Sequence, residues 1–566
     1  MSKLYTDIHT DVLVIGTGAA GCRAAIAAAD AGASVILIAK GAVGRSGTTP
    51  LAEVVYSAAL GHADPRDNPE VHFQDTIRYG RFLGNQTLAR VMCYGGPQSV
   101  LDADRYGMPW YKTKDGKYVQ LPSPGHTYDR GVHNDEKTGR MLLWALLKEV
   151  RKHSGIRVID DLFVTRLLTN GSHVIGAFAM NMKSPGYVAL TANGTILATG
   201  GAGVMYQVND MDAGSTGDGM VMGFRVGAPL ISAEMHQFFP TGFVYPQSLG
   251  GTSVATSALW TRGLKLYNNL GERFMERYFP VEKENVPRDD LSRSIFLEIM
   301  EGRGTEHGGV WLATADVDDF ERIKYDRHRS YIWPLRFGVD TSYFEVAPTY
   351  HFTLGGLVFD ERAQTPVPGL LIAGEVGGGT HGANRIAGNA LTECMVFGAI
   401  SGDTAAELRA NRRLEVSETE AADEIKRIES FRSEKNGMRP IQLRRKLQQT
   451  MYRQVGLVRE AKGIRSALET IQSMRTEELP KMCVQSTASF DVEWMEAIEF
   501  DFMLELAEIS ARAALMREES RGAHYRLDYR QSDNARWLRN TVSVRKGNDI
   551  QLSTVPVEAS YIALPS

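Results

Sequence analysis

"TDVLVIGTGAAGCRAAIAAADAGASVILIAK", residues 10–40, reads as a strand, a tight turn, a helix and a second strand. The first apolar run ends at Gly16-x-Gly18-x-x-Gly21, and a small-residue segment follows it. Gly16 permits the turn, Gly18 lets the backbone approach a pyrophosphate, and Gly21 lets the helix pack closely on the sheet. The free N–H groups at the helix start, around Ala19 and Ala20, then face two phosphates. This setting predicts a dinucleotide site. An NAD site ordinarily ends its second strand on an acidic residue that holds the ribose. Lys40 stands there instead, which weakens NAD and leaves FAD open.

A length of 566 residues leaves room for two or three domains around that unit. With 43% hydrophobic and 23% charged residues, the composition is that of a soluble globular protein. A formal net charge of -4 gives no electrostatic case for nucleic acid. The four cysteines form no CxxC, so neither a disulfide framework, an iron–sulfur cluster nor another metal site is expected. No run of about 20 apolar residues occurs. "MSKLYTDIHTD" has no apolar signal region and no twin arginine. The reading is a cytoplasmic protein with no direct membrane span.

Further along, "GRSGTTPLAEVVYSAALG" (44–61) reads as a glycine–threonine loop feeding a helical segment. Residues 135–168 read as a helix and a strand, and "YVALTANGTILATGGAG" is a strand entering Gly200 and Gly201. That Gly-Gly turn predicts a second close approach to the same cofactor. "STGDGMVMGFRVGAPL" (215–230), with Asp218, reads as a helix entered through a polar turn. Residues 234–346 change character, richer in aromatics, prolines and charges. "VPGLLIAGEVGGGTHGANRIAGNALTECMVFGAISGDTAAEL" (367–408) then returns to strand, glycine turn and long helix. The expected class is α/β. Residues 1–233 and 347–412 form a split FAD-binding Rossmann-like domain, with 234–346 as an inserted α+β capping domain. Residues 413–566 show apolar positions at helical spacing and are expected to form a helical C-terminal domain.

"HGANRIAGNAL", "EGRG", "ERFMERY" and "ESRGAHYRLDY", with the two glycine segments, resemble the flavoprotein subunits of succinate dehydrogenase and fumarate reductase. L-aspartate oxidase and the adenylylsulfate reductase flavoprotein belong to the same family. The resemblance spans nearly the whole chain. It implies FAD, an FAD domain interrupted by a cap, and a substrate held between cap and flavin. FAD is expected to lie against Gly16, Gly18, Ala19, Ala20, Gly21, Lys40, Arg45, Ser46, Gly47, Thr48 and Thr49. Gly200, Gly201, Asp218, Glu375, Asn389, Ala390 and Leu391 complete the expected set.

Carried over position by position, the family pattern implies three catalytic residues. Arg385 in "HGANR" can hold a carboxylate by two parallel bonds. His351 in "PTYHFTLGG" can donate to the same substrate. Arg288 in "VPRDD" corresponds to the arginine that protonates the substrate carbon, or stabilises charge developing there. Other positions depart from the family. Phe239 stands where it has a dicarboxylate-binding histidine. Thr256 is kept, Ser257 replaces a glutamate, and Trp260 and Arg262 replace a proton-feeding arginine and glutamate. Read as pocket walls, Phe239 and Trp260 favour a monocarboxylate with an apolar far end over fumarate or succinate. Gly47 replaces the histidine that binds FAD covalently in dehydrogenase members, so noncovalent FAD is expected. Glu53-Val54-Val55 are bulkier than the family's residues on the approach to the flavin, and the sequence leaves open whether Tyr56 reaches it.

The chain has no second complete phosphate-loop unit for NAD(P)H. A small iron–sulfur or other electron-transfer subunit is the expected electron partner, with a carboxylate as small-molecule substrate. The reaction expected is FAD-dependent oxidation or reduction of a carbon–carbon bond beside that carboxylate. Amine or amino-acid oxidation, and redox chemistry on a non-carboxylate oxyanion, are the alternatives.

Overall fold

The computed structural model describes residues 4–565, apart from 124, 136, 255–262, 315–316, 318–341, 410–413, 433–435, 486 and 488. Thr256, Ser257, Trp260 and Arg262 therefore lie outside the described residues.

The opening motif folds as read, with strands Tyr5–Ile15 and Val35–Ile38 parallel and helix Ala19–Asp30 between them. Val12, Leu13 and Val14 are fully buried, as a strand covered on both faces requires. A Cβ on Gly21 would fall 1.9 Å from the Gly16 carbonyl oxygen, so only glycine allows this helix to sit so close to the turn. The main sheet runs in the order Ile156–Ile159, Val35–Ile38, Tyr5–Ile15, Tyr187–Leu197, His173–Asn181, Leu162–Asn170. The distant strand Leu370–Ile372 returns to it, parallel to the end of Tyr187–Leu197. Helix Asn389–Glu407 then packs across Ala19–Asp30. The nucleotide fold is thus left and re-entered, as a Rossmann-like FAD-binding domain with an insertion.

The insertion carries an antiparallel sheet, His236–Phe243, Tyr343–Thr353, Val310–Ala313, Lys265–Tyr267. Helix Arg288–Met300 packs on its first strand. Phe243, Leu266, Phe274, Ile295, Leu312 and Phe344 share an apolar cluster of their own, so the cap has a separate core.

Helices Glu418–Glu429, Pro440–Gln454, Ala461–Ser473 and Val492–Met516 form the C-terminal helical region. The chain ends differently from the expectation. Arg539–Lys546 and Asp549–Pro556 form an antiparallel hairpin that joins Leu230–Ile231. Alternation on both sides of "KGND" was the readable signal, and helical periodicity upstream obscured it. The helix expected after "GRSGTT" is also corrected. Val55–Ser57 is a strand paired with Gly131–His133, consistent with the β-branched Val54-Val55 pair.

Candidate active site

A cavity of about 390 Å³ opens at the C-terminal ends of the parallel strands, against Ile15, Ile38, Ala198 and Ala373. Of the expected cofactor residues, Gly16, Gly18, Ala19, Ala20, Lys40, Ser46, Gly47, Thr48, Thr49, Gly200, Asp218 and Glu375 line it. Thr49 Oγ1 accepts from the Ala19 N–H at 3.0 Å and ties the second loop to the helix start. Lys40 is committed elsewhere: its ammonium lies 2.8 Å from both Asp218 and Glu499. Burial pushes the Glu375 carboxyl up to about 7, against a 2.9 Å bond from the Thr353 N–H.

Six expected cofactor residues lie off the cavity wall. Gly21 packs against the turn, and Arg45 points to solvent. A side chain on Gly201 would strike Glu375. Asn389 is buried in bonds with His72 (2.8 Å) and Thr76 (3.0 Å). Leu391 belongs to an apolar core, and Ala390 is half-buried beside it. Tyr56, whose place the sequence left open, is buried against Trp110 with its hydroxyl bonded to Ser99. Thr17, Ser215, Arg444 and Glu499 line the cavity without having been anticipated. The last two come from the C-terminal helices, which no local motif connects to a nucleotide site.

The residues fit FAD. The helix start at Gly18, Ala19 and Ala20 lines the cavity, a placement that suits a diphosphate. Gly47, at φ +85°, offers a wall with no protein atom within 4 Å of where a Cβ would stand.

The three expected catalytic residues converge at the cap boundary. The Arg288 guanidinium lies over the Phe239 ring at 5.1 Å, and that ring lies 5.4 Å from the His351 ring. His351 Nδ1 is 2.7 Å from Asp210 Oδ2. Arg385 is buried, lies over Phe352 at 4.6 Å, and has no carboxylate within ion-pair distance among the described residues. Its Nε has no hydrogen-bond partner among the described residues. Burial and the neighbouring Arg288 bring Arg385 down to about 10, although Glu375 and Glu393 pull upward. Burial also lowers Arg288. Burial lowers His351 too; Asp210 opposes this, and Arg385 and Arg288 add to it.

Asp289 and Asp290 do not pair with Arg288. Asp289 accepts from Arg81 at 3.3 Å and from Asn384 at 3.2 Å, and Asp290 pairs with Arg293. Gln237 donates to Asn384 (2.7 Å) and to the Arg385 carbonyl (2.8 Å). The residues beside Arg288 and Arg385 are therefore joined across the cap boundary. Asp210 was missed in the sequence because it lies in no motif; Asp289 and Asn384 stand inside "VPRDD" and "HGANR", but the clasp they make acts only through contacts distant in the chain.

Two family models divide the chain. One described as "FAD binding domain" matches residues 11–391, and one described as "Fumarate reductase flavoprotein C-term" matches 444–566. The chain belongs to the succinate dehydrogenase and fumarate reductase flavoprotein family. It is an FAD-dependent oxidoreductase. It is 39% identical to one of the subunits of the fumarate reductase (CoM/CoB) of Methanothermobacter marburgensis, over 96% of this chain and 98% of that protein. It is 32% identical to a succinate dehydrogenase flavoprotein subunit of Rickettsia bellii, over 100% and 98%. Among solved structures, Mycobacterium smegmatis Sdh1 superposes with a TM-score of 0.90 at 34% identity, covering 98% and 95%. An Escherichia coli quinol fumarate reductase chain gives 0.92 at 29%, covering 99% of each. The Archaeoglobus fulgidus adenylylsulfate reductase, at 21% identity and 0.78, shares the fold alone.

These relatives overturn the expectation of a monocarboxylate with an apolar far end. They match over nearly their full length and are named for dicarboxylate chemistry. The physical reason lies at Phe239. Its ring lies under the Arg288 guanidinium and beside His351, so it faces a cation and a polar ring. An aromatic residue among pocket walls does not by itself make an apolar subsite.

No helix of the described residues is long and apolar enough to cross a membrane, and among them no His/Cys/Asp/Glu group could hold a metal ion.

Proposed function

We propose that this protein interconverts fumarate and succinate. The observation that carries the reading is the convergence of Arg288, Arg385 and His351 where neither arginine has a carboxylate partner among the described residues. A buried cation without a counter-ion is costly, and an arriving dianion relieves that cost. Arg385 holds one carboxylate by parallel N–H···O bonds. The short contact to Asp210 places a proton on His351 Nδ1. A carboxylate arriving at Nε2 favours a second proton there, and the imidazolium then donates to it. Bound FAD supplies or accepts the hydride. Arg288 delivers the proton to the carbon opposite that hydride. Its lowered proton affinity and its position over Phe239 support that role.

FAD is held without a covalent bond in this reading, supported by Gly47 on the cavity wall where dehydrogenase members of the family present a histidine. Acid precipitation should leave the flavin in the supernatant. Electrons pass through a separate iron–sulfur subunit, supported by relatives that are themselves named as subunits.

The test is anaerobic turnover of the FAD-loaded protein in both directions. Fumarate should reoxidise reduced benzyl viologen, and succinate should reduce an artificial acceptor. Reoxidation by crotonate but not fumarate, or by oxygen alone, would overturn the reading.

A further inference from the structure

Behind Glu375 on the cavity wall runs a chain of buried polar groups that the proposed chemistry does not use. The Thr353 N–H donates to Glu375 Oε1 at 2.9 Å, and the Thr353 hydroxyl also bonds the carboxyl. Gly201 makes room for the two side chains, since a Cβ there would fall 2.1 Å from Glu375 Oε1 and 2.4 Å from Thr353 Oγ1. Thr353 Oγ1 accepts from the Ala202 N–H at 3.0 Å and lies 2.7 Å from the Tyr350 hydroxyl. That hydroxyl is in turn 3.2 Å from His236 Nδ1.

A β-bulge builds this chain. Between strands His236–Phe243 and Tyr343–Thr353, His236 opposes Thr353, Gln237 opposes Phe352, and Phe238 opposes Tyr350, so His351 is the extra residue. The extra residue reverses the alternation and puts Tyr350 and Thr353 on one face, although they stand three apart. Tyr206, stacked on Tyr350 at 4.8 Å, and Phe238, edge-on at 5.6 Å, hold the phenol in place.

The chain satisfies Glu375 in either charge state, because a hydroxyl both donates and accepts. With Glu375 ionised, Tyr350 donates to Thr353 and Thr353 to the carboxylate. With Glu375 protonated, the carboxyl donates to Thr353, Thr353 to Tyr350, and Tyr350 to His236 Nδ1. Two hydroxyl rotations separate these patterns. His236 completes only the second, and burial, with Arg459 adding to it, keeps its ring neutral and able to accept.

We propose that Glu375 takes up a proton from solvent when bound FAD is reduced and returns it on reoxidation, with Tyr350 and His236 as positioning residues for the protonated state. The inference needs bound FAD and no particular substrate. A hydride brings two electrons and one proton, and so adds one negative charge to the cavity. The proton on Glu375 cancels that charge, so two electrons and two protons enter together. Burial already lifts this carboxyl to about 7, with Glu393 adding to the rise and Arg385 opposing it. Cys394 also faces Glu375, and Asp210 faces Tyr350. Added negative charge disfavours the carboxylate further. Uptake therefore belongs to a window that opens near pH 7. Below it Glu375 is protonated in both redox states.

The test is a redox titration of the FAD-loaded protein with dithionite and reference dyes at several pH values above about 7. Each proton taken up with two electrons moves the midpoint potential by about 30 mV per pH unit. The wild type should show about 60 mV per pH unit within the window, and E375Q about 30. Infrared difference spectra of the wild type should gain a carboxylic acid C=O band on reduction that shifts in D2O, and E375Q should lack it. Y350F and H236F leave Glu375 in place but remove the acceptors of the protonated pattern. They should lower its proton affinity about tenfold, so the steep window closes about one pH unit lower, the effect of one buried hydrogen bond. A merely structural role would leave the proton count and window unmoved. The steep slope retained in E375Q would overturn the proposal. So would a wild type without the acid band, or an unshifted window in Y350F and H236F. Should E375Q fail to hold FAD, the wild-type band and the Y350F window decide.

Discussion

Replacing Arg385 by methionine should make the free protein more stable while abolishing its use of dicarboxylates. The fall of this arginine from its ordinary 12.5 to about 10 means that folding penalises its charged form by about 3 kcal/mol. Methionine keeps a long flexible stem and removes the charge. Against that gain stands the loss of the cation over Phe352, worth about 0.5–1 kcal/mol. The bond from Nη1 to the Ile386 carbonyl, at 3.4 Å, adds little. The net expectation is about 2 kcal/mol of added stability. For a chain of 566 residues this raises the Tm by only about 2 °C, so denaturant titration is the better measurement. Fumarate at a hundredfold excess over its Kd should stabilise the wild type by about 2.7 kcal/mol and leave R385M unchanged. A variant less stable than the wild type by about 1 kcal/mol or more would show that Arg385 is a structural cation. Retained stabilisation by fumarate would refute its role as the carboxylate clamp.

Asp210→Asn removes the carboxylate that favours a charged His351. Its KM for fumarate should rise at least about tenfold, the cost of one charge-assisted bond. The proton taken up on fumarate binding, followed by calorimetry in buffers of different ionisation enthalpy, should also diminish. Asp289→Asn weakens the bond from Arg81 and loosens the cap clasp. It should lower kcat/KM about tenfold with little change in unfolding free energy, since misplacing a reacting group is costly. Unchanged kinetics would show that the clasp does not position the arginines. Acid should destabilise the fold early. Burial brings His126 and His236 down to about 3, and His72 and His524 also fall well below 6.5. Their folded values lie below the unfolded one, so the unfolded chain binds more protons and stability is lost as pH falls below about 6.5. His126 and His236 together approach about 2.7 kcal/mol per pH unit. Glu375, raised from 4.5 to about 7, opposes them at about half that slope between those values. Denaturant titration at pH 7.5, 6.5 and 5.5 should show falling stability, and a flat profile would contradict the buried neutral histidines.

The nucleotide half of this fold was legible because its signals are local. Gly16, Gly18 and Gly21 act on their own turn and helix, and the apolar runs beside them specify a buried parallel strand. The return at 367–408 was readable for the same reason. The terminal hairpin and the Val55–Ser57 strand were not separated, since short strands carry weak periodicity beside longer helical patterns. Resemblance named Arg288, His351 and Arg385, yet could not say what surrounds them.

Substrate preference turned on such surroundings. Phe239 is apolar as a letter in the chain and reads as an oily wall. Folded, it lies under one cation and beside His351. Asp210 reaches His351 across 141 residues, and Asn384 reaches Asp289 across 95. Turn geometry and helix packing are set within a few residues, so residue order alone specified the strand, turn and helix of the FAD-binding domain. The charge balance of the substrate site is a sum over side chains from the cap and both parts of the nucleotide fold. Only their folding against one another determined which cations remain unpaired, and so which anion the site can hold.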